Sequence, residues 1–115
     1  FSGDMPHLTN LIVAAVKHRG FSLLNVFQPC VTFNHQQTYQ WYRDRNYKLD
    51  QTNHDFKDIK AALAKSLELE EKIPLGLLYQ TERPIYTDSL PQIAQKTLVE
   101  SEQPVGIEPF IKEFL

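Results

Sequence analysis

The clearest indication of the fold class comes from residues 21–30, which read FSLLNVFQPC. Residues 21–27 form a short run that is too apolar for a strand with one face in water, and Gln28 and Pro29 end it. Runs of this kind are typical of parallel strands that are buried on both faces. We therefore predict a buried strand at residues 21–27 and an α/β fold.

A helix is predicted immediately before this strand. Asp4 can cap its first turn, which contains Pro6, where a missing N–H group does no harm. Gly20 is placed to supply a left-handed C-cap. Apolar residues recur three or four positions apart between these ends, so that one face of the helix is apolar. That face consists of Leu8, Leu11, Ile12, Ala15 and Val16.

One helix and one strand do not make a parallel sheet, because a buried strand needs neighbours. The chain also starts at Phe1 without a Met, and its first residues, FSGD, resemble the end of a loop. We expect residues 1–30 to be the last helix and strand of a larger, doubly wound domain whose earlier part has been cut away.

Residues 31–90 are predicted to form an irregular α+β extension of that domain. Residues 38–49 mix Tyr and Trp with charged side chains, which favours a short helix or an irregular segment. Residues 56–69 have helical spacing of apolar side chains and several alanines, so they are predicted to be helical. A second apolar run spans residues 73–79, where Pro74 requires an edge strand or a start after the proline.

Residues 91–115 complete the chain as a third, proline-rich region. We expect this tail to run extended over a surface, because proline fixes the backbone and removes a donor. Its last residues, 109–115, are apolar and are expected to dock onto the domain or onto a partner.

Composition excludes several classes of function. The 115 residues are 42% hydrophobic and 23% charged, which suits one soluble globular domain. A net charge of −2 without a basic block argues against nucleic-acid binding, and no apolar run is long enough to cross a membrane. The single cysteine, Cys30, excludes an internal disulfide and fits a reducing, cytoplasmic location.

Neither the glycines nor the histidines indicate a ligand site within the chain. The four glycines are too scattered to form a phosphate-binding loop, and the four histidines lack metal-ligand spacing. The strongest candidate is Cys30 within QPCVTFN, residues 28–34, because open α/β sheets place ligands just past the carboxyl ends of their strands. Pro29 would fix the direction of the thiol. The alternative is an inert, buried cysteine that acts as a small apolar residue.

Several segments agree in order and spacing with one protein family. QPCVTFN, preceded by FSLLNVF and followed by TYQWYRDRNYKL, resembles the C-terminal part of the β subunit of 2-oxoacid:ferredoxin oxidoreductases. FSGD before the first helix, IPLGLLY and ERPIY also match, so the resemblance covers about residues 1–90. It implies that the larger domain is a thiamine diphosphate-binding, doubly wound fold.

The resemblance also implies cofactors and partners. In the family, thiamine diphosphate and Mg²⁺ are bound by the β subunit, and four cysteines hold a 4Fe–4S cluster. The fourth of these maps to Cys30, and Thr32 and Asn34 are candidates for hydrogen bonds to the cluster sulfurs. The activity would be coenzyme A-dependent oxidative decarboxylation of a 2-oxoacid, of the pyruvate or 2-oxoglutarate type. The partners would be an α subunit and ferredoxin.

The chain lacks the diphosphate-binding Gly-Asp-Gly motif and the other three cysteines of the family. We therefore expect it to hold no cofactor alone, to be inactive alone and to contain no catalytic residue. Ser2, Gly3 and Asp4 are further candidates, since the corresponding loop of related subunits faces the cofactor and coenzyme A. For Asp4 the alternative is a helix N-cap.

The aromatic side chains of residues 38–49 have two interpretations. They either pack a small subdomain or form the interface with the α subunit, where aromatic residues and arginine are enriched. The second interpretation supports an alternative function, in which the chain is a non-catalytic module that docks subunits through this aromatic segment and the tail. The residues concerned are Tyr39, Trp41, Tyr42 and Tyr47.

Overall fold

The computed structural model describes residues 1–100 and 106–114. They contain mixed helices and a small parallel sheet, in agreement with an α/β class. The chain divides into two compact units, Phe1–Arg83 and Pro84–Leu115. The division into residues 1–30, 31–90 and 91–115 stays a prediction. The helices and strands are α1 (Met5–Lys17), α2 (Tyr39–Arg45), β1 (Asn46–Lys48), α3 (Ile59–Ser66), β2 (Ile73–Leu75) and α4 (Glu108–Ile111).

Helix α1 begins as predicted, with Asp4 as its N-cap. The Asp4 carboxylate accepts a hydrogen bond from the backbone N–H of His7 at 3.2 Å, which satisfies one of the free donors of the first turn. Its end differs from the prediction. The helix stops at Lys17, because His18 takes an extended backbone, and Gly20 lies beyond the helix with a φ of 122°. The predicted C-cap at Gly20 is therefore wrong.

The predicted strand at residues 21–27 is not formed in this chain. These residues belong to no strand, and Phe21 and Leu23 are 85% and 84% exposed. A parallel strand needs a hydrogen-bonded neighbour. Among residues 1–100 and 106–114, the two strands that exist pair with each other, so this segment is left without a ladder.

The sheet consists of β1 and β2, which pair in parallel with Tyr47 opposite Pro74. Strand β1 was not expected, since it lies in the segment predicted as a short helix or irregular structure. Both strands are edges in the two-stranded sheet, so Pro74 lies on an edge strand as one of the two predicted alternatives required. Gly76 then leaves the strand with a φ of 134°, which favours glycine.

Helix α3 is shorter than predicted at both ends. Residues 55–58 form a turn in which the N–H of Asp58 bonds to the carbonyl of Asp55 at 3.2 Å. Asp58 then caps the helix by accepting from the N–H of Lys60 at 2.8 Å. The helix consequently starts at Ile59 rather than at residue 56.

The core of the first unit is small and rich in aromatic rings. Phe1, Ile73 and Leu75 are buried, and rings of the aromatic segment pack against them. The Phe1 ring stacks on Tyr42 with centroids 5.5 Å apart, and it lies 5.8 Å from Tyr39. These contacts favour the packing interpretation for both tyrosines.

The described residues of the second unit form short helical turns, and those from residue 91 onward do not form the extended run that was expected. Its 3-10 turns are Tyr86–Ser89, Pro91–Ile93 and Leu98–Glu100. Pro91 opens one of them, where its fixed φ suits a helical turn. Residues 101–105 and Leu115 lie outside the described residues, and the predicted docking of the apolar end stays a prediction.

Candidate functional site

Cys30 lies at the start of a turn and carries an exposed, free thiol. The residue before it, Pro29, is buried and thus anchors the backbone. The Cys30 carbonyl accepts hydrogen bonds from the N–H groups of Phe33 at 3.2 Å and Asn34 at 2.9 Å. The turn therefore holds the backbone of Cys30 on both sides, and the cysteine is not buried within this chain.

Asn34 organises the loop that follows. Its side-chain oxygen accepts from the N–H groups of Gln36 at 3.0 Å and Gln37 at 2.9 Å. Its amide nitrogen donates to the Gln37 side chain at 3.2 Å. In this chain the Asn34 amide thus bonds within its own loop, while Thr32 is exposed in the turn. The hydrogen bonds of these two residues to cluster sulfurs stay a prediction.

The loop that contains Ser2, Gly3 and Asp4 is bound to the segment that leads to Cys30. The N–H of Ser2 donates to the carbonyl of Phe27 at 3.0 Å, three residues before the cysteine. The Ser2 Oγ is buried and has no hydrogen-bond partner among the described residues. A Cβ at Gly3 would collide with the Phe1 ring, so packing alone explains this glycine. The structure therefore links two of the predicted site segments by their backbones.

The Asp4 carboxylate has two partners within this chain. Besides capping α1, its carboxylate forms an ion pair with the Lys48 ammonium on β1 at 3.0 Å. The hydrogen bond from Lys48, followed by that from the His7 N–H, lowers the pKa of the Asp4 carboxyl. The N-cap alternative is confirmed. Lys48 could not be found from the sequence, because 44 positions separate it from Asp4 and no local pattern joins them.

The pH dependence of folding follows from this pair. Because the folded-state pKa of Asp4 lies below the unfolded value of about 3.9, its stabilisation is complete above that pH and is lost as the pH falls through the folded value. In Asp4→Asn the titrating charge is absent, while the cap acceptor remains. We expect its free energy of unfolding to vary less between roughly pH 5 and pH 1. Urea titrations at several pH values measure this dependence. If the free energy of unfolding changed equally with pH in the wild type and in Asp4→Asn, the role given to Asp4 would be contradicted.

A second polar cluster joins the other face of β1 to the end of α3. The Tyr47 hydroxyl donates to the Glu68 carboxylate at 2.5 Å, and the Lys65 ammonium bonds to both groups at 3.0 and 2.8 Å. Partial burial, followed by the contact with Glu68, raises the pKa of Tyr47, while Lys65 lowers the pKa of Glu68. The ion pair of Lys65 with Glu68 can be predicted from their spacing of three residues. The contact of Tyr47 with this pair cannot, because Tyr47 lies far away in the sequence.

The described residues of the first unit also form an open groove of about 650 Å³. The Arg45 guanidinium lies over the Trp41 ring at 4.4 Å in this groove. None of the residues predicted to contact a cofactor lines it, whereas Trp41 of the aromatic segment does. Its lining consists of Gln37, Trp41, Asp44, Arg45, Leu69, Glu70 and Glu71.

Two negative findings concern residues 1–100 and 106–114. In these ranges no three or more His, Cys, Asp or Glu side chains come together as a possible metal site. Within the same ranges, each helix is too short or too polar to cross a membrane.

Known proteins similar to this chain point to one family. Residues 30–95 match the family described as the C-terminal region of the pyruvate ferredoxin oxidoreductase beta subunit. The chain is 37% identical to a 2-oxoacid:ferredoxin oxidoreductase subunit beta of a Sulfolobus species, across 98% of this chain and 44% of the relative. It is 42% identical to 2-oxoacid:ferredoxin oxidoreductase 2, subunit beta, of Aeropyrum pernix, across 63% of this chain and 26% of the relative.

A solved structure supports the same relationship. The fold is similar to 2-oxoglutarate:ferredoxin oxidoreductase from Magnetococcus marinus with 2-oxoglutarate, coenzyme A and succinyl-CoA bound. The TM-score is 0.77 at 29% identity, over 98% of this chain and 38% of that chain. This chain therefore spans less than half the length of the relatives it matches. Since the family match covers more than half of its residues, the chain belongs to the C-terminal family of 2-oxoacid:ferredoxin oxidoreductase β subunits.

Proposed function

We propose that this chain is part of the β subunit of a coenzyme A-dependent 2-oxoacid:ferredoxin oxidoreductase of the pyruvate or 2-oxoglutarate type. The observation that carries the proposal is the accessible Cys30 thiol, held on a turn behind a buried proline, in a chain of this family. The complete enzyme would contain an α subunit, would pass electrons to ferredoxin and would be cytoplasmic, which a free thiol supports.

Cys30 would be one of four ligands of a 4Fe–4S cluster. A thiolate is the donor that iron–sulfur clusters require, and the exposed sulfur leaves room for iron on its outer side. When bound, thiamine diphosphate with Mg²⁺ supplies an electron sink for decarboxylation, and the cluster supplies a path for single electrons. Within this chain, the two hydrogen bonds to the Cys30 carbonyl and the burial of Pro29 fix the backbone that carries the sulfur.

The loop that carries Ser2, Gly3 and Asp4 would face the cofactor and coenzyme A. Two observations support this role: the buried hydroxyl of Ser2 lacks a partner among the described residues, and the loop is bonded to the segment before Cys30. The similar Magnetococcus marinus protein binds coenzyme A. In this role Ser2 offers a donor, Gly3 permits close packing, and Asp4 holds the loop in place.

In the complete β subunit, residues 21–27 would be a strand of a doubly wound, thiamine diphosphate-binding domain. The apolar pattern of the segment and the exposure of Phe21 and Leu23 support this, because both side chains would become buried beside neighbouring strands. The relatives contain more than twice the length of this chain, which is enough to supply such neighbours.

The experiment compares the 115-residue chain with the complete two-subunit enzyme. We expect the complete enzyme to reduce ferredoxin when it receives a 2-oxoacid and coenzyme A. We expect the separate chain to be colourless and to give no heat of binding with thiamine diphosphate and Mg²⁺. Stoichiometric binding to the separate chain would show that the cofactor site lies within it. Ferredoxin reduction that is independent of coenzyme A would overturn the proposed reaction.

A further inference from the structure

The loop from Phe1 to Asp4 is fixed at three points in the folded chain. The Phe1 ring is buried in the core, and the Ser2 N–H bonds to the carbonyl of Phe27. The third point is the Asp4 carboxylate, which lies between the His7 N–H and the Lys48 ammonium. Of these contacts, the ion pair with Lys48 is the one that joins the loop to the sheet by a charged side chain.

Lys48 is itself held in position by β1. Its backbone pairs with Leu75 of β2, which is buried. The preceding residue, Tyr47, is bonded to Lys65 and Glu68 at the end of α3. Neighbouring residues of a strand point to opposite faces. The Tyr47 side chain therefore connects one face of β1 to the end of α3, and the Lys48 side chain connects the other face to the loop. The strand that carries the Lys48 ammonium is therefore fixed by contacts that do not involve the loop.

We infer that Lys48 is a positioning residue for coenzyme A: its ammonium holds the Asp4 carboxylate and so keeps Ser2 and Gly3 in the binding position. The inference rests on the proposed function, in which this loop faces coenzyme A. Lys48 does not touch the ligand and acts through Asp4. Without the Lys48 ammonium, the Asp4 carboxylate retains only the cap bond from the His7 N–H, and the loop gains freedom that ligand binding must remove.

The expected effect is moderate, because both side chains of the pair are about one third exposed. Partly exposed ion pairs contribute little, although a charge-assisted hydrogen bond adds to the Coulomb attraction. We expect the Kd of coenzyme A to rise about threefold to tenfold in Lys48→Met. The kcat at saturating coenzyme A should stay close to that of the wild type, since the loop is needed for binding.

The experiment uses the complete two-subunit enzyme and titrates it with coenzyme A in the absence of 2-oxoacid, followed by steady-state kinetics. Lys48→Met should raise Kd and KM together, and Lys48→Arg should restore both, because its guanidinium can still pair with Asp4. Lys60→Met is the matched control, since Lys60 is exposed on α3. It should leave Kd and KM unchanged.

Asp4→Asn removes the other charge of the ion pair. It tests the inference even if the enzyme with Lys48→Met does not assemble. It should weaken coenzyme A binding by a similar factor, and adding Lys48→Met to it should raise Kd no further, because the ion pair is already lost. Wild-type affinity in both Lys48→Met and Asp4→Asn would overturn the inference. An unchanged Kd with a lower kcat would also overturn it. If the wild-type enzyme itself neither binds nor requires coenzyme A, the proposed function fails instead.

Discussion

Replacing the one cysteine is expected to remove the iron–sulfur cluster of the complete enzyme. In Cys30→Ser the soft thiolate becomes a hydroxyl, which is a poor ligand for an iron–sulfur cluster at neutral pH. We expect the broad visible absorption of the purified enzyme to be lost or strongly reduced. Ferredoxin reduction should fall by at least about 100-fold, since even changes to groups around metal ligands cost 10- to 100-fold.

The matched control is the same substitution in the separate 115-residue chain. There the side chain is exposed, so Cys30→Ser should change the free energy of unfolding by less than about 0.5 kcal/mol. A large loss of stability in the separate chain would assign Cys30 a packing role. A complete enzyme that kept its full absorption and its rate of ferredoxin reduction would show that Cys30 is not a ligand.

The largest loss of stability is expected at Ile73, which is 1% exposed in the centre of the core. Ile73→Ala removes apolar volume from the cluster that Ile73 forms with Phe1 and Leu75, and it leaves a cavity. Such substitutions cost about 2–5 kcal/mol, which is a large fraction of the stability of a chain of this size. Urea unfolding followed by circular dichroism measures the effect.

Ile59→Ala on α3 is the matched control for this cavity, because the same side chain is 54% exposed there. We expect its cost to be well below that of Ile73→Ala and within about 1 kcal/mol. Equal losses in the free energy of unfolding at the two positions would mean that Ile73 is not part of the buried core.

The elements that could be predicted from the sequence are those with local signals. The start of α1 depends on Asp4 and Pro6, which lie at its first turn, and Pro74 limited the second strand to an edge position or a start after the proline. The end of α1 could not be predicted, because Gly20 has the expected positive φ but His18 leaves the helix first. Helix ends depend on small differences between competing backbone conformations.

Contacts between distant positions were the part that the sequence did not reveal. Strand β1 has no alternation of its own over Asn46–Lys48, and its pairing with β2 depends on residues 27 positions later. The ion pair of Lys48 with Asp4 and the hydrogen bond of Tyr47 to Glu68 likewise join residues that are far apart in the sequence. At the site, Cys30 was identified from its neighbours in the chain, whereas the bond from Ser2 to Phe27 required the folded structure.

The run at residues 21–27, of which residues 21–26 are exposed, favours aggregation of the separate chain. Its seven residues, FSLLNVF, contain no charge, no proline and no glycine, and they form no ladder among the described residues. Short segments of this composition with free backbone groups start intermolecular β-aggregation and stack into cross-β assemblies. The segment proposed to be a strand of the complete β subunit is therefore expected to lower the solubility of the separate chain.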